Sequence, residues 1–320
     1  MKCKICSKNT KKKIIFTRSK KKEKLFYCEK CDFEFFFYNP QKQLTNNKLN
    51  LSRLKKAGLK IPKKNEEFKN GLFQSKNYLK EFIKKSDLKK NILEIGCSLG
   101  YFLFSIKKFG CKNIYGLEIN EEYRKYVNNK LNIRCERNLN IYKDNKIFFN
   151  KIFLFYSFEY IPKPVEFLQE LFSLLEKNGE IILITPNKND VLKNILSIKS
   201  YNNFFYDKNS INYFSVKSLK KLLSNLKQKS FKIYTKQGYS FINFFNWFLN
   251  NKPIASRLVG EDYLMEDLLF QIKKKKKSLI DNSLSINFYK LFKDFNNLFK
   301  KKLSKKNFGN QIILKIKKNV

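Results

Sequence analysis

Cys3-Lys-Ile-Cys6 and Cys28-Glu-Lys-Cys31 are two C-x-x-C pairs separated by twenty-one residues. Two tight turns at that spacing can present four thiolates tetrahedrally to zinc, and four sulfurs leave no open coordination position, so the implied ion is structural rather than catalytic. A redox centre needs only one such pair. A second constellation lies at Asn91-Ile-Leu-Glu-Ile-Gly-Cys-Ser-Leu-Gly100, a short apolar run followed by glycines four positions apart. There Gly96 and Gly100 let the backbone turn tightly and approach a ligand, with Glu94 at the end of the apolar run. A further acid, Glu118, closes the run Asn113-Ile-Tyr-Gly-Leu-Glu118, eighteen positions after Gly100. In a nucleoside site such a carboxylate accepts hydrogen bonds from both ribose hydroxyls.

The elements that must position these groups follow from periodicity. Ile92, Leu93 and Ile95 predict a buried parallel strand, and Phe102, Leu103, Ile106 and Phe109 place a helix over Tyr101–Phe109 with its N-terminal N–H groups facing the turn. A second strand (113–120), a helix (Glu121–Leu131) and a short third strand (Asn132–Cys135) complete a doubly wound α/β half. Beyond it come a strand and loop over Ile152–Pro164, a helix over Val165–Glu176 stopped by Lys177-Asn-Gly179, and a strand over Glu180–Asn187. A helix capped by Ser215 runs from Val216 to Leu226, and Phe231–Lys236 is a sixth strand. Upstream, Leu72, Phe73, Leu79, Phe82 and Ile83 suggest a helix over Gly71–Lys85 packed on the sheet.

These residues resemble the class I S-adenosylmethionine-dependent methyltransferases. The likeness rests on the E-x-G-x-S-x-G turn at Glu94–Gly100, on Glu118, and on Ile152-Phe-Leu-Phe-Tyr-Ser-Phe-Glu-Tyr-Ile-Pro-Lys-Pro164, which is similar to a family strand and loop ending in a Leu-Glu-His-Ile-x-x-Pro run. It covers roughly residues 70–237 and returns at Gly309–Lys318, which the resemblance makes a closing antiparallel strand. It implies a Rossmann-like, mostly parallel α/β sheet and S-adenosylmethionine as cofactor. It assigns Glu94 to the cofactor's methionine end, Gly96, Ser98 and Gly100 to close backbone approach, and Glu118 to the ribose. Asn138, after the third strand, is a candidate for the adenine edge or a plain turn residue, and Tyr156 and Ser157 lie where open α/β sheets place their ligands.

The chain departs from the family where a proton would be handled. It contains no histidine, so Phe158-Glu159-Tyr160 stands where relatives carry Leu-Glu-His. At Asn209-Ser210-Ile-Asn-Tyr213-Phe-Ser215, sugar methyltransferases carry Glu-His-x-x-Tyr-Phe-Ser. An acceptor that must lose a proton would rely on Glu159, Tyr160 or Tyr213, with Tyr206 and Asp207 behind them. Retention of the fold without catalysis is the reading from a different class.

The 320 residues carry a formal charge of +41, which suggests a polyanion or an anionic surface, but lysine is spread along the whole chain and arginine is scarce. Drift of the whole composition toward Lys, Asn, Ile and Phe explains the same charge. Seven cysteines fit a reducing compartment, no run is apolar enough to span a bilayer, and the N-terminus lacks a signal peptide, so a cytoplasmic protein is expected. The expected organisation is a zinc knuckle (1–40), a connector (41–69) with a short helix near 49–56, and a catalytic domain (70–320) with a helical insertion at about 250–308. Within that insertion Leu264, Leu268, Leu269 and Ile272 share a face and Lys273–Lys277 reads as a solvated helix end, while Phe241–Leu249 is apolar nearly all round and should be buried or meet a partner. Phe33, Phe35, Phe36, Phe37 and Tyr38 give the knuckle an apolar edge for docking. The knuckle either covers a small-molecule pocket, as in sugar methyltransferases with a similar segment, or grips RNA. The acceptor expected is therefore sugar-like, with an RNA base as the alternative; the oligomeric state is not legible.

Overall fold

The computed structural model describes residues 1–38, 64–207, 209–252 and 281–318. The connector helix expected near 49–56, and the insertion residues Leu264 to Lys277, lie outside them. At the N-terminus β1 (Lys11–Phe16), β2 (Lys22–Cys28) and β3 (Phe33–Phe36) form an antiparallel meander, and β9 (Asn212–Tyr213), from far along the chain, pairs with the edge of β3. The segment expected as a bare knuckle is thus a sheet that the rest of the chain extends.

The larger sheet contains β4 (Ile92–Ile95), β5 (Ile114–Leu117), β6 (Arg134–Glu136), β7 (Phe149–Phe155), β8 (Leu175–Pro186), β10 (Phe231–Lys236) and β11 (Gln311–Lys317). Their order is β10-β11-β8-β7-β4-β5-β6, with β11 antiparallel to both its neighbours and the other pairings parallel. Every residue of β4 is buried, as a strand covered on both faces requires. Helices α1 (Lys64–Phe82), α2 (Tyr101–Lys108), α3 (Glu121–Leu131), α4 (Asn140–Asp144) and α5 (Pro164–Ser173) connect or cover the strands. They are followed by α6 (Val191–Asn194), α7 (Lys199–Phe205), α8 (Val216–Asn225), α9 (Phe241–Asn250) and α10 (Asp281–Lys305).

Helix starts follow local chemistry. Pro164 opens α5 where its missing N–H costs nothing, and the Asn120 and Ser215 side chains accept from Tyr123 and Ser218 N–H at the starts of α3 and α8. Two boundaries differ from expectation. The helix expected to reach Glu176 stops at Ser173, and the strand expected from Glu180 begins at Leu175, because Leu175 pairs with Phe149 across an irregularity in β7. The helix upstream of β4 starts at Lys64, earlier than the apolar spacing indicated.

One core runs through both sheets. Cys3, Ile5, Cys28, Cys31, Phe33 and Phe35 pack in the same buried cluster as Leu93, Ile152, Leu154, Phe158 and Phe214. Phe33 stacks on Phe35, and Phe214 lies 5.2 Å from Phe33 and 4.9 Å from Phe158. On the opposite pleat Phe36 joins Leu25, Tyr206 and Tyr213.

Charge also crosses this seam. Glu34, 3 % exposed, accepts from Lys13 at 2.7 Å and from the Tyr206 hydroxyl at 2.7 Å, with Lys193 at 3.6 Å, while Lys188 pairs with Asp32. Burial alone would raise the Glu34 carboxyl, but Lys193, Lys188 and Lys13 outweigh it and bring it down to about 2. A carboxylate depressed on folding adds stability above its unfolded value, and that stability disappears as pH falls toward 2. Glu34→Gln should therefore cost about 3 kcal/mol at neutral pH, with the gap in Tm from the parent closing between about pH 4.5 and pH 2. A gap that does not change with pH would mean the carboxylate charge is not what binds this seam.

Candidate functional site

The strand order reverses direction between β4 and β7, and the carboxyl ends of β7, β4 and β5 lie side by side there. Such a switch point leaves a crevice for ligands. Gly96 and Gly100 adopt left-handed φ values of 70° and 73°. A Cβ at Gly96 would sit 2.9 Å from the Ser157 Cβ, and one at Gly100 would sit 2.9 Å from both Leu131 and Val127. The turn therefore seats the start of α2 against α3 on one side and the exit of β7 on the other. Ser98 (φ 52°) and Tyr156 (φ 52°) are also left-handed, without the freedom of glycine. Backbone held in this region marks places that the surroundings over-determine, and here two of them flank one crevice.

Glu118 ties the crevice together. Its Oε2 accepts from the Ser98 N–H and its Oε1 from the Asn120 N–H, both at 2.8 Å, and Arg124 donates to its backbone carbonyl at 2.9 Å. Burial raises its carboxyl, against the opposing pull of those backbone N–H groups and Arg124. A carboxylate offers about four acceptor sites, so these backbone N–H groups leave acceptor capacity for a ligand hydroxyl.

Glu94 is buried in β4, and burial, with Cys135 and Glu118 nearby, holds its carboxyl well above the usual range against one backbone N–H at Leu103. Its Oε2 has no hydrogen-bond partner within the chain, and neither does the buried Ser157 Oγ. Buried polar atoms are costly unless satisfied, so two of them beside one glycine turn mark a place where a polar ligand fits. The recess of about 410 Å³ between Asn187, Asn189, Lys217 and Asn307 lacks this demand. There Asn187 donates to the Asn307 and Gly309 carbonyls and accepts from the Asn189 N–H.

The other expected residues are dispersed around this crevice. Asn138 is exposed in the bend after β6. Phe158–Tyr160 forms a short 3-10 turn directly after Ser157, in which Glu159 is 2 % exposed and accepts from the Thr185 hydroxyl at 3.1 Å, while Tyr160 is 37 % exposed. Tyr213 is buried in the apolar cluster on the N-terminal sheet, on a strand that packs against the Phe158–Tyr160 turn, its hydroxyl accepting from the Asp207 N–H at 2.7 Å and donating to the Asp207 carbonyl at 2.8 Å. Tyr206 is likewise spent on Glu34. Ser157, expected with Tyr156 at the mouth of the strand, follows the left-handed Tyr156 and carries one of the unpartnered atoms.

The four expected metal ligands converge. The Sγ atoms of Cys3, Cys6, Cys28 and Cys31 all lie within 4.8 Å of one another, with Cys6 and Cys28 3.7 Å apart. Zinc–sulfur bonds of about 2.3 Å give tetrahedral edges of about 3.8 Å, so the set fits a zinc ion. The two turns are built alike, Ser7 and Asp32 after the second cysteine of each being left-handed.

Residues 70–226 match the family model described as a methyltransferase domain. Among solved structures the chain is similar to a SAM-dependent methyltransferase from Archaeoglobus fulgidus (19 % identity, covering 79 % of this chain and 96 % of that one, TM-score 0.47). It is also similar to a SAM-dependent methyltransferase from Thermotoga maritima, described as a possible histamine N-methyltransferase (13 %, 79 % and 91 %, TM-score 0.43). A third is the plantazolicin methyltransferase BpumL in complex with SAH (18 %, 79 % and 83 %, TM-score 0.42). No curated protein matches the chain.

Proposed function

We propose that the chain, whose residues 70–226 match a methyltransferase-domain model, transfers the methyl group of S-adenosylmethionine to a hydroxylated small molecule, a sugar or nucleotide-linked sugar of surface polysaccharide assembly. The observation that carries the cofactor assignment is the pair of buried, unpartnered atoms, Glu94 Oε2 and Ser157 Oγ, beside the Gly96–Gly100 turn. When bound, the cofactor supplies an electrophilic methyl group on a sulfonium.

The chain's own residues bind, orient and exclude water. Glu94 faces the ammonium of the methionine end, which returns to the buried carboxyl the charge balance it lacks. Gly96, Ser98 and Gly100 give the backbone approach, Glu118 accepts from the ribose hydroxyls, and Asn138 borders the adenine. Tyr156 and Ser157 line the side toward the acceptor. Of Glu159, Tyr160 and Tyr213, Tyr160 is the exposed one, so we place it against the acceptor, with Glu159 behind it. Tyr213 serves the fold of its loop.

The sugar assignment is supported by the likeness of the segment arrangement to sugar methyltransferases. Of the aromatic side chains in the cysteine-bearing segment, Phe33, Phe35 and Phe36 belong to the core at no more than 3 % exposed, while Phe16 and Phe37 are exposed and are the ones on which an RNA base could stack. Calorimetric titration of the zinc-loaded protein with S-adenosylmethionine and with its demethylated product should give micromolar binding, and labelled methyl transfer should favour nucleotide sugars over RNA. A folded, zinc-loaded protein that binds neither cofactor form would overturn the reading.

A further inference from the structure

Six of the sixteen exposed large apolar side chains among the described residues lie on two touching helices. In α9 they are Phe245 (50 % exposed), Phe248 (63 %) and Leu249 (73 %); in α10 they are Leu291 (69 %), Phe295 (45 %) and Leu298 (54 %). The two sets form one surface, because the Phe241 ring lies 4.6 Å from both Phe245 and Phe295. The opposite side of α9 holds the helix to the molecule: Trp247 is 1 % exposed, and Phe244 packs on Phe299 of α10 at 4.8 Å. The outward side is therefore surplus to the core. Contiguous apolar surface on a soluble fold marks a contact with something else.

The charge around the patch states what that partner is. At 100° per residue, Leu291, Phe295, Leu298 and Lys302 fall within about 60° of one another, so the apolar stripe of α10 runs directly into a lysine. Lys290, Lys293, Lys301 and Lys305 are exposed along the same helix, and Asp294 is the one acid between residues 287 and 305. Aromatic and aliphatic side chains bordered by lysines suit the headgroup boundary of an anionic bilayer, where rings enter the acyl edge and ammonium groups meet lipid phosphates. A second copy of this chain would set like charges against each other. No described helix is long and apolar enough to cross a membrane, so the contact lies on the surface.

We propose that the outward face of α9 and α10 docks the enzyme on an anionic lipid bilayer, Phe245, Phe248, Leu249, Leu291, Phe295 and Leu298 entering the interface and the α10 lysines pairing with lipid phosphate. This stands independently of which acceptor is methylated. The test is flotation of the full-length, zinc-loaded protein with vesicles of phosphatidylcholine alone and with vesicles of equal parts phosphatidylcholine and phosphatidylglycerol. Flotation with the anionic vesicles is expected, with a loss of at least about tenfold on neutral vesicles, on raising the salt, or in Phe245→Ser/Phe248→Ser. Lys301→Glu/Lys302→Glu, which leaves the rings in place, should lose binding to a similar degree. Cofactor affinity should be unchanged in both variants, which shows that they fold. Absence of flotation with anionic vesicles, or flotation indifferent to both variants, would overturn the proposal. So would a solution dimer that Phe245→Ser/Phe248→Ser makes monomeric, since a second copy would then be the occupant.

Discussion

Replacing Glu118 with alanine is expected to weaken binding of S-adenosylmethionine and its demethylated product by at least about a hundredfold, because two hydrogen bonds to a charged acceptor contribute roughly 1.5–3 kcal/mol each. Glu118 has a second task that sharpens the expectation. Its carboxylate holds the Ser98 N–H at 2.8 Å, and Ser98 sits in left-handed backbone at the centre of the glycine turn. Alanine therefore removes the proposed ribose contact and also releases the turn proposed to seat the methionine end. Glu118→Gln keeps one acceptor oxygen but sets an amide N–H₂ against the Ser98 or Asn120 N–H, so it should rescue little. The fold should persist, since Leu93, Ile95, Ile152 and Leu154 beneath the site are untouched. Calorimetry of both variants, with near-ultraviolet circular dichroism as the control for folding, decides the matter. Parental affinity in a folded Glu118→Ala would remove the ribose assignment, and with it much of the reason to place the nucleoside here.

The groups that sequence made legible are those whose meaning is local. Gly96 and Gly100 announce left-handed backbone by being glycine after an apolar strand, and Glu118 is fixed by the length of one helix and one strand. The C-x-x-C pairs likewise carry their own turn geometry, which Ser7 and Asp32 complete. What escaped is long-range. Nothing in Asn212-Tyr213 says that these two residues will pair with Glu34 and Phe35, a contact set by packing Phe214 between Phe33 and Phe158. That pairing also fixes Tyr213, whose hydroxyl closes the loop at Asp207. Buried Lys151 belongs to the same class: it reads as an ordinary lysine interrupting β7, yet it bridges Asp87 at 2.8 Å and Glu180 at 3.1 Å. The start of β8 at Leu175 was hidden for a similar reason, since its partner Phe149 lies across an irregularity that no pattern of period two reveals.

Cys28→Ser should remove zinc from the purified protein and lower the Tm of the whole molecule, not of the N-terminal segment alone. Cys28 ends β2, and its Sγ lies 3.7 Å from that of Cys6, so serine replaces a thiolate ligand with a hydroxyl at the point where both turns meet. Metal bound by four thiolates contributes roughly 10 kcal/mol or more to the folded state of small zinc domains, and three ligands retain a fraction of that. The loss cannot stay local, because Cys3, Ile5, Cys28, Cys31 and Phe33 share one buried cluster with Leu93, Ile95, Leu154 and Phe158, which lie under the crevice proposed to hold the cofactor. Ser157, which carries one of the two unpartnered polar atoms beside the glycine turn, directly precedes Phe158, whose ring rests on Phe214 and through it on Phe33. Cofactor affinity in Cys28→Ser should therefore fall together with stability, and melting should remain a single transition at a lower temperature. Treating the parent with a strong chelator should reproduce both changes. Two separate transitions, the upper one unaltered, would show that the cysteine-bearing sheet is an independent appendage and that the shared core does not couple it to the site. A parent protein that carries no zinc and melts normally would remove the metal itself from the structure's account.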